Sequence, residues 1–308
     1  MRTLPASLRE RLAVRVLLGD VRPAQVEGDP AGTRKLLVGL ADGEEVEAVL
    51  IPAADRRTVC VSSQVGCRFN CAFCASGKLG FRRNLDAGEI VGQVVLAARA
   101  YGARPSHVVF MGIGEPLDNY DAVLRAVRIL NDPEGLGIGA RRITISTCGI
   151  IPGIQRLAGE NLQVELSVSL HAAHAPTRDQ LMPVNRLHPL AELIDACAAY
   201  VRATRRIITF EYTLIRGVND GREHAEALAG LLRALPCRVN LIPLSAVAEF
   251  DGAAPAPGAA AMFIEVLDRA GINATARASK GANLDAACGQ LRLRRARAAR
   301  PPASPSPS

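Results

Sequence analysis

The chain of 308 residues contains no tryptophan, and aromatic residues make up only 4% of it. A core of useful size is still available, because apolar residues reach 49% while charged ones stay at 22%. That balance excludes disorder over most of the length. No run of about 18 uninterrupted apolar residues occurs, which excludes a transmembrane helix. The N-terminus, Met1-Arg2-Thr3-Leu4-Pro5 followed by Arg9, Arg11 and Arg15, lacks the apolar segment of a secretory signal. No repeat of fixed period is present. The eight cysteines are too few and too unevenly spaced for the disulfide framework of a secreted chain. These absences lead to the expectation of a soluble, cytoplasmic protein.

Charge says less than its total suggests. Lys and Arg number 37 against 30 Asp and Glu, a net +7, yet Arg292, Arg294, Arg295, Arg297 and Arg300 all lie beyond Leu291. The body is therefore almost balanced, and the end reads as a basic, Pro/Ser-rich disordered tail over 292–308. Near the other end, the run from Lys35 to Leu40 and the run from Glu45 to Ile51 flank Asp42-Gly43, the mark of a hairpin turn. From residue 57 onward strand-like runs alternate with helical patterns. The strand candidates are 58–62, 107–111, 142–147, 164–170, 207–214, 239–244 and 274–278. Ile90, Val91, Val94, Val95 and Ala98 stand at helical spacing after Asp86, a cap with Glu89 three residues on. Leu228, Leu231, Leu232 and Leu235 repeat that spacing. Such β-then-α alternation implies an α/β fold with a parallel sheet and chemistry in the loops after its strands.

The sharpest feature is Cys67-Arg68-Phe69-Asn70-Cys71-Ala72-Phe73-Cys74, a C-x3-C-x2-C cluster after the first of these strands. Three thiolates on one short loop can hold three corners of a cubane iron–sulfur cluster and leave the fourth iron open, whereas electron carriers normally supply four cysteines. Structural zinc competes with this reading, but it calls for a fourth Cys or His that is not nearby. In Met111-Gly112-Ile113-Gly114-Glu115-Pro116 the glycines let backbone approach a ligand, and Glu115 can accept from an ammonium. Alone, such a Gly-x-Gly marks a turn as readily. Ser146 in Ile145-Ser146-Thr147-Cys148-Gly149, and Ser169-Leu170-His171, offer polar groups at strand ends or simply caps. Cys60 and Cys288, taken singly, read as buried structural thiols, as do Cys148, Cys197 and Cys237.

The thiol spacing closely resembles the signature of the radical S-adenosylmethionine (SAM) superfamily, in which the methionine part of SAM chelates the open iron. Further stretches resemble the RlmN/Cfr family of radical SAM RNA adenine methyltransferases. They are Val46 to Pro52, Thr58 to Cys67 around Cys60, Gly80 to Leu85, Val218 to Gly221 and Asp285 to Leu291 around Cys288. The likeness runs in order from about residue 36 to 291. It implies a partial TIM-type (β/α)6 barrel with a small N-terminal β extension. It also implies a [4Fe–4S] cluster on Cys67, Cys71 and Cys74, and SAM bound by Gly114, Glu115, Ser146, Ser169, Leu170 and His171. Ser245 stands where the family has a SAM-contacting Asn, and its shorter hydroxyl reaches less far, so that contact is expected to be lost, water-mediated or replaced. Two SAM are used per turnover. One methylates the cysteine at position 288; the other yields a 5′-deoxyadenosyl radical that takes hydrogen from that methylthioether. The carbon radical adds to an adenine ring carbon. Cys60 releases the product through a transient disulfide with Cys288, and Glu47 is the proton acceptor. A thioether carrier answers the chemistry, because this ring carbon is not nucleophilic and the adduct must be cut at sulfur.

The resulting expectation is a SAM-dependent RNA methyltransferase acting on adenine carbon 2 in preference to carbon 8, in 23S rRNA with tRNA as a second candidate. Flavodoxin or ferredoxin would supply electrons to a monomer. The expected domains are a shortened N-terminal extension with the hairpin (1–52), a catalytic barrel (53–291) and the tail (292–308). Only 46 residues precede Glu47, too few for the family's helical RNA-binding domain as well as the hairpin. Lys280-Gly281-Ala282-Asn283-Leu284-Asp285 also departs from the family's usual Arg-Gly-x-Asp-Ile-Asp. Two other readings compete: a family relative with a different RNA or non-RNA substrate, and a non-catalytic iron–sulfur redox or RNA-binding protein.

Overall fold

The computed structural model describes residues 5–7, 21–30, 32–78, 80–244, 250–276, 290–292 and 295. Chain order begins with β1 (Arg22–Gly28), β2 (Arg34–Gly39), β3 (Glu45–Ala53) and β4 (Arg56–Cys60), which pair antiparallel in sequence. The expected turn joins β2 to β3, with Gly43 at φ 84° and a Gly43 N–H donating to the Leu40 oxygen at 3.2 Å. A short ribbon of β5 (Gln64–Val65) and β6 (Arg83–Asn84) then encloses the cysteine loop. The remaining strands are β7 (His107–Phe110), β8 (Ile143–Thr147), β9 (Glu165–Ser169), β10 (Ile208–Leu214), β11 (Cys237–Pro243) and β12 (Asn273–Ala276). They continue the sheet from β4, all parallel, in the order β4-β7-β8-β9-β10-β11-β12. The 10-stranded sheet has β1 and β12 at its two edges, so it is an open, partial barrel.

Each strand expected after residue 57 is present. β12 is the short, largely exposed edge beyond the six strands of the (β/α)6 unit. Helices fill the crossovers: α1 (Ala75–Lys78), α2 (Ala87–Tyr101), α3 (Tyr120–Asn131), α4 (Ile151–Ala158), α5 (Ala175–Leu181), α6 (Leu190–Thr204), α7 (Arg222–Leu232) and α8 (Ala259–Arg269). The start of α2 is the expected capping box: Glu89 N–H donates to Asp86 Oδ1 at 2.8 Å, and Asp86 N–H to Glu89 Oε2 at 2.9 Å. Helix α7 ends at Leu232, and Leu235, counted in the helical pattern, lies beyond it although still buried.

Alternation along the strands sorts their two faces. Val59, Val108, Phe110, Ile145, Leu166, Val168, Phe210, Tyr212, Val239 and Leu241 join one continuous core with Ile90, Val94, Val127, Leu193, Leu228 and Phe263 from the helices. The intervening residues, Cys60, Val109, Thr144, Ser146, Ser167, Ser169, Glu211 and Asn240, point to the opposite, concave face. A wall carrying Ser, Thr, Glu and Asn is not built for stability. It is where polar ligands fit.

One expected boundary moves. Arg292 is buried, with its guanidinium 2.9 Å from Glu44 Oε2, and Arg295 pairs with Glu45 Oε1 at 3.3 Å. The tail expected from 292 is therefore docked at its start, because two acidic residues at the β2–β3 end meet its first arginines. Residues 296–308 lie outside the described residues, as do 277–289 with Cys288, and 245–249 with Ser245.

Candidate active site

The cysteine loop leaves the sheet through Gly66, whose φ of 82° suits glycine. A Cβ there would lie 1.7 Å from the Gly80 carbonyl oxygen, so only glycine lets the loop's two ends close on each other. Within the loop, Cys74 N–H donates to the Cys71 oxygen at 3.1 Å, and Ala72 N–H to the Leu181 oxygen at 2.8 Å. Phe69, Cys71 and Phe73 pack on a satellite apolar cluster of Cys148, Leu181, Met182, Val184, Ile215 and Leu244. Outside, Arg68 lies 4.0 Å over the Phe81 ring and 3.0 Å from Asp118. These two residues help line an open cavity of about 510 Å³ that also touches Cys67, Asn70 and Lys78.

The donor set fits a polynuclear cluster. Burial pushes the Cys67 thiol up to about 12 and the Cys71 thiol well above its ordinary range, and Cys74 adds to both shifts. Thiols this close to one another ionise together only against a strong local cation, which a bound metal centre provides. Among the described residues no three Cys, His, Asp or Glu converge as ligands of a single ion. Thiolates around one zinc would sit about 3.7 Å apart, given Zn–S bonds of about 2.3 Å. Three thiols on one loop match an open-corner cubane, whereas structural zinc calls for four ligands.

Behind the loop, the strand ends carry the other expected residues. Gly114 has φ 106°, and a Cβ there would lie 2.7 Å from the Gln64 nitrogen, so the Gly-x-Gly turn packs directly on β5. Glu115 is buried; its Oε1 accepts from Leu117 N–H at 2.9 Å and its Oε2 from Cys148 N–H at 2.7 Å. Burial raises its pKa, while those backbone donors favour the carboxylate. The Thr147 and Cys148 side chains also hydrogen-bond this carboxylate. Ser146 and Ser169 lie on the concave face, paired in register with Ser167 and Glu211. His171 sits at φ 57°, with Nδ1 accepting from Thr213 N–H at 2.9 Å. Burial, then the nearby Arg178 charge, push its pKa down to about 3, so it is a neutral ring with its hydrogen on Nε2.

Two buried charged residues were singled out by no sequence pattern, and the first of them holds these ends together. Arg178, fully buried on α5, donates to the Cys148 oxygen (2.8 Å), the Ser169 oxygen (3.3 Å), the Leu170 oxygen (3.2 Å) and Asn185 Oδ1 (2.8 Å). A lone Arg on a short helix reads as solvated, so the sequence carries no signal of this. The second is Lys35, buried on β2 with its ammonium 3.7 Å from Glu47 Oε2. Asn219, from the Val218-to-Gly221 stretch, donates to the His171 and Thr213 oxygens at 2.7 Å each.

Cys60 and Glu47 belong to one corner. Cys60 pairs with Val49 across β3–β4, which puts Glu47 diagonally on the same face. Both are buried. Ser62 Oγ donates to the Glu47 carbonyl at 2.6 Å, and Arg292 N–H donates to Glu47 Oε1 at 2.8 Å. Arg292 is four residues beyond Cys288 in the sequence. No disulfide joins any two described cysteines. Cys148 and Cys197 are buried among apolar neighbours, in keeping with a packing role.

Comparison with known proteins agrees with this geometry. A model of the radical SAM superfamily matches residues 61–229. A protein of Moorella thermoacetica named "Probable dual-specificity RNA methyltransferase RlmN" is 51% identical over 303 residues, covering 95% of this chain and 85% of the relative. A namesake from Thermosynechococcus vestitus is 53% identical over 261 residues, or 85% of this chain and 77% of that one. The crystal structure of a radical SAM methyltransferase from Sphaerobacter thermophilus superposes with a TM-score of 0.89 at 49% identity, over 94% of this chain and 86% of that one. The chain belongs to the radical SAM superfamily and, within it, to the RlmN family of RNA methyltransferases.

Proposed function

We propose that this protein methylates an adenine ring carbon of RNA, carbon 2 in preference to carbon 8, in 23S rRNA and as a second substrate tRNA. SAM-dependent RNA methylation is the activity carried by relatives half identical along most of their length. The observation that carries the finer reading is the corner where Cys60 and Glu47 share one face and Arg292 N–H donates to Glu47.

Cys67, Cys71 and Cys74 hold three irons, and Glu115 orients the amino group of SAM from the Gly114 turn. Ser146, Ser169, Leu170 and His171 line the rest of that pocket, and Ser245 gives a shorter reach than the Asn of relatives. When bound, the cluster and SAM supply a one-electron cleavage that starts radical chemistry on a methyl group. Cys288 carries that methyl group as a thioether and forms the bond to the base. Glu47 takes the ring proton, its carboxylate held in place by Lys35 and Arg292, while the unpaired electron left on the ring passes to a one-electron carrier of the same class as the electron donor. The Cys60 thiolate then attacks the Cys288 sulfur. A sulfur–sulfur bond forms, the carbon–sulfur bond breaks, and its electron pair stays with the carbon, which takes a proton from water to become the new methyl group.

The electron donor is of flavodoxin or ferredoxin type, the protein acts as a monomer, and the setting is cytoplasmic. No helix of the described residues is long and apolar enough to cross a membrane. RNA affinity draws on the basic end beyond the docked Arg295. Deleting 296–308 should lower affinity and flatten its salt dependence, since fewer counterions are released; unchanged binding would remove the tail from the interface.

The direct test is anaerobic incubation of iron-reconstituted protein with SAM, a reductant and 23S rRNA or tRNA, followed by nucleoside mass spectrometry. 2-Methyladenosine is expected. 8-Methyladenosine would correct the position, and no methyladenosine in either RNA would overturn the assignment.

A further inference from the structure

The proposed SAM contacts among the described residues trace an arc over the strand ends: Glu115 after β7, Ser146 on β8, and Ser169 to His171 at the end of β9. Strand β10 lies between β9 and β11 yet supplies none of them. Its concave-face residue in the same row is Glu211, which pairs with Ser169 on one side and Asn240 on the other. The Glu211 carbonyl accepts from Leu170 N–H at 3.0 Å and His171 N–H at 3.2 Å, which locks this row to the Ser169–His171 bend.

The Glu211 carboxylate is only half used. The residue is 5% exposed. Oε1 accepts from Ser167 Oγ at 2.7 Å and from Asn240 Nδ2 at 3.1 Å, and Thr275 Oγ1 meets Asn240 Oδ1 at 3.0 Å. Among the described residues, Oε2 is buried without any partner. A buried carboxylate oxygen left unpaired is costly, and its presence in a polar wall calls for a ligand that donates to it.

We infer that Glu211 is a further SAM-binding residue, whose Oε2 accepts a hydrogen bond from a ribose hydroxyl of the cofactor. This rests on the SAM site proposed above. SAM offers three kinds of donor: its ammonium, its ribose hydroxyls and its adenine amine. The ammonium belongs at Glu115 beside the cysteine loop. Glu211 is three strands further along the sheet, about 14 Å at strand spacing, where the adenosine end falls. Of the two adenosine donors, the ribose diol lies nearer the middle of the arc and presents two adjacent hydroxyls to one acceptor.

The test is SAM binding by isothermal titration calorimetry on anaerobically reconstituted protein, with wild type, Glu211→Gln and Thr275→Val. Gln keeps an acceptor for Ser167 and Asn240 but turns a donor toward the ribose. Glu211→Gln should weaken SAM about tenfold or more while the ligand-free melting temperature holds or rises, because an unpaired buried anion is removed. Thr275→Val, in the same row but away from Oε2, should bind as wild type. SAM lacking its 2′- or 3′-hydroxyl should lose affinity on the wild type and lose little more on Glu211→Gln, the non-additivity of a direct pair. Full additivity would overturn the ribose assignment. Wild-type affinity in Glu211→Gln would overturn the inference alone, and a wild-type protein that binds no SAM would overturn the proposed function with it.

Discussion

The loop from Cys67 to Cys74 and the corner of Cys60 and Glu47 sit on the same sheet, but they are assembled in opposite ways. The loop is local: its three thiols fall within eight residues, closed by Gly66 against Gly80 and fastened by backbone hydrogen bonds to its neighbours. The corner is composite. Glu47 comes from β3, its cation from β2, Cys60 from β4, and a backbone donor from Arg292, 245 residues later in the chain. A local site can be recognised from spacing and lost by one substitution. A composite site depends on the whole fold, and its parts can be removed one by one with graded effects.

The largest effect should come from the loop. Replacing any one of Cys67, Cys71 or Cys74 by Ala should take the iron content from about four per chain to near zero, because an open-corner cluster has no spare thiolate. Glu47→Gln, at the corner, should keep the iron and lose turnover. Equal iron loss in both would erase the distinction. Next comes Lys35→Met, which removes the cation 3.7 Å from the buried Glu47 carboxylate and should cost about 3 kcal/mol in urea unfolding. Adding Glu47→Gln should restore much of that loss, since the uncompensated charge goes with it. Arg178→Met strips the donor from three carbonyls and Asn185, and should cost about 3 kcal/mol.

Much of this was legible beforehand, and the failures have physical causes. The strands of the parallel series announced themselves because one face must be apolar to meet the helices, as Val108, Phe110, Leu166 and Val168 show. The capping box at Asp86 and the Asp42-Gly43 turn depend on neighbours in sequence, and both formed. β1 escaped notice because it is an exposed edge strand with a bulge beside Pro23, so no apolar alternation marks it. Arg178 and Lys35 escaped because a charged side chain is read as solvated unless its partner is known, and their partners lie on other elements. The docked Arg292 escaped for the same reason: Glu44 and Glu45 are distant in sequence.

Two smaller effects sharpen the contrast between site and scaffold. His171 has a folded pKa of about 3 against an ordinary 6.5, so its neutral form is the native one. Its contribution to stability is complete above pH 6.5 and is lost as the pH falls from there toward 3. His171→Asn keeps a residue that tolerates the left-handed backbone and removes the titration. Denaturation curves over that range should then show a shallower acid limb. Asp86→Ala, far from both thiol sites, removes a helix cap and should cost about 1 kcal/mol with SAM affinity unchanged.

The central claim is that the local loop and the composite corner act on one substrate in sequence, with Cys60 resolving what Cys288 has joined. Intact-protein and peptide mass spectrometry of Cys60→Ala, after anaerobic reaction with SAM, reductant and RNA followed by nuclease digestion, tests it most directly. The expected result is a full iron complement and a nucleotide mass on the peptide that contains Cys288, absent from the wild type after turnover. A fully active Cys60→Ala protein with an unmodified Cys288 peptide would contradict it.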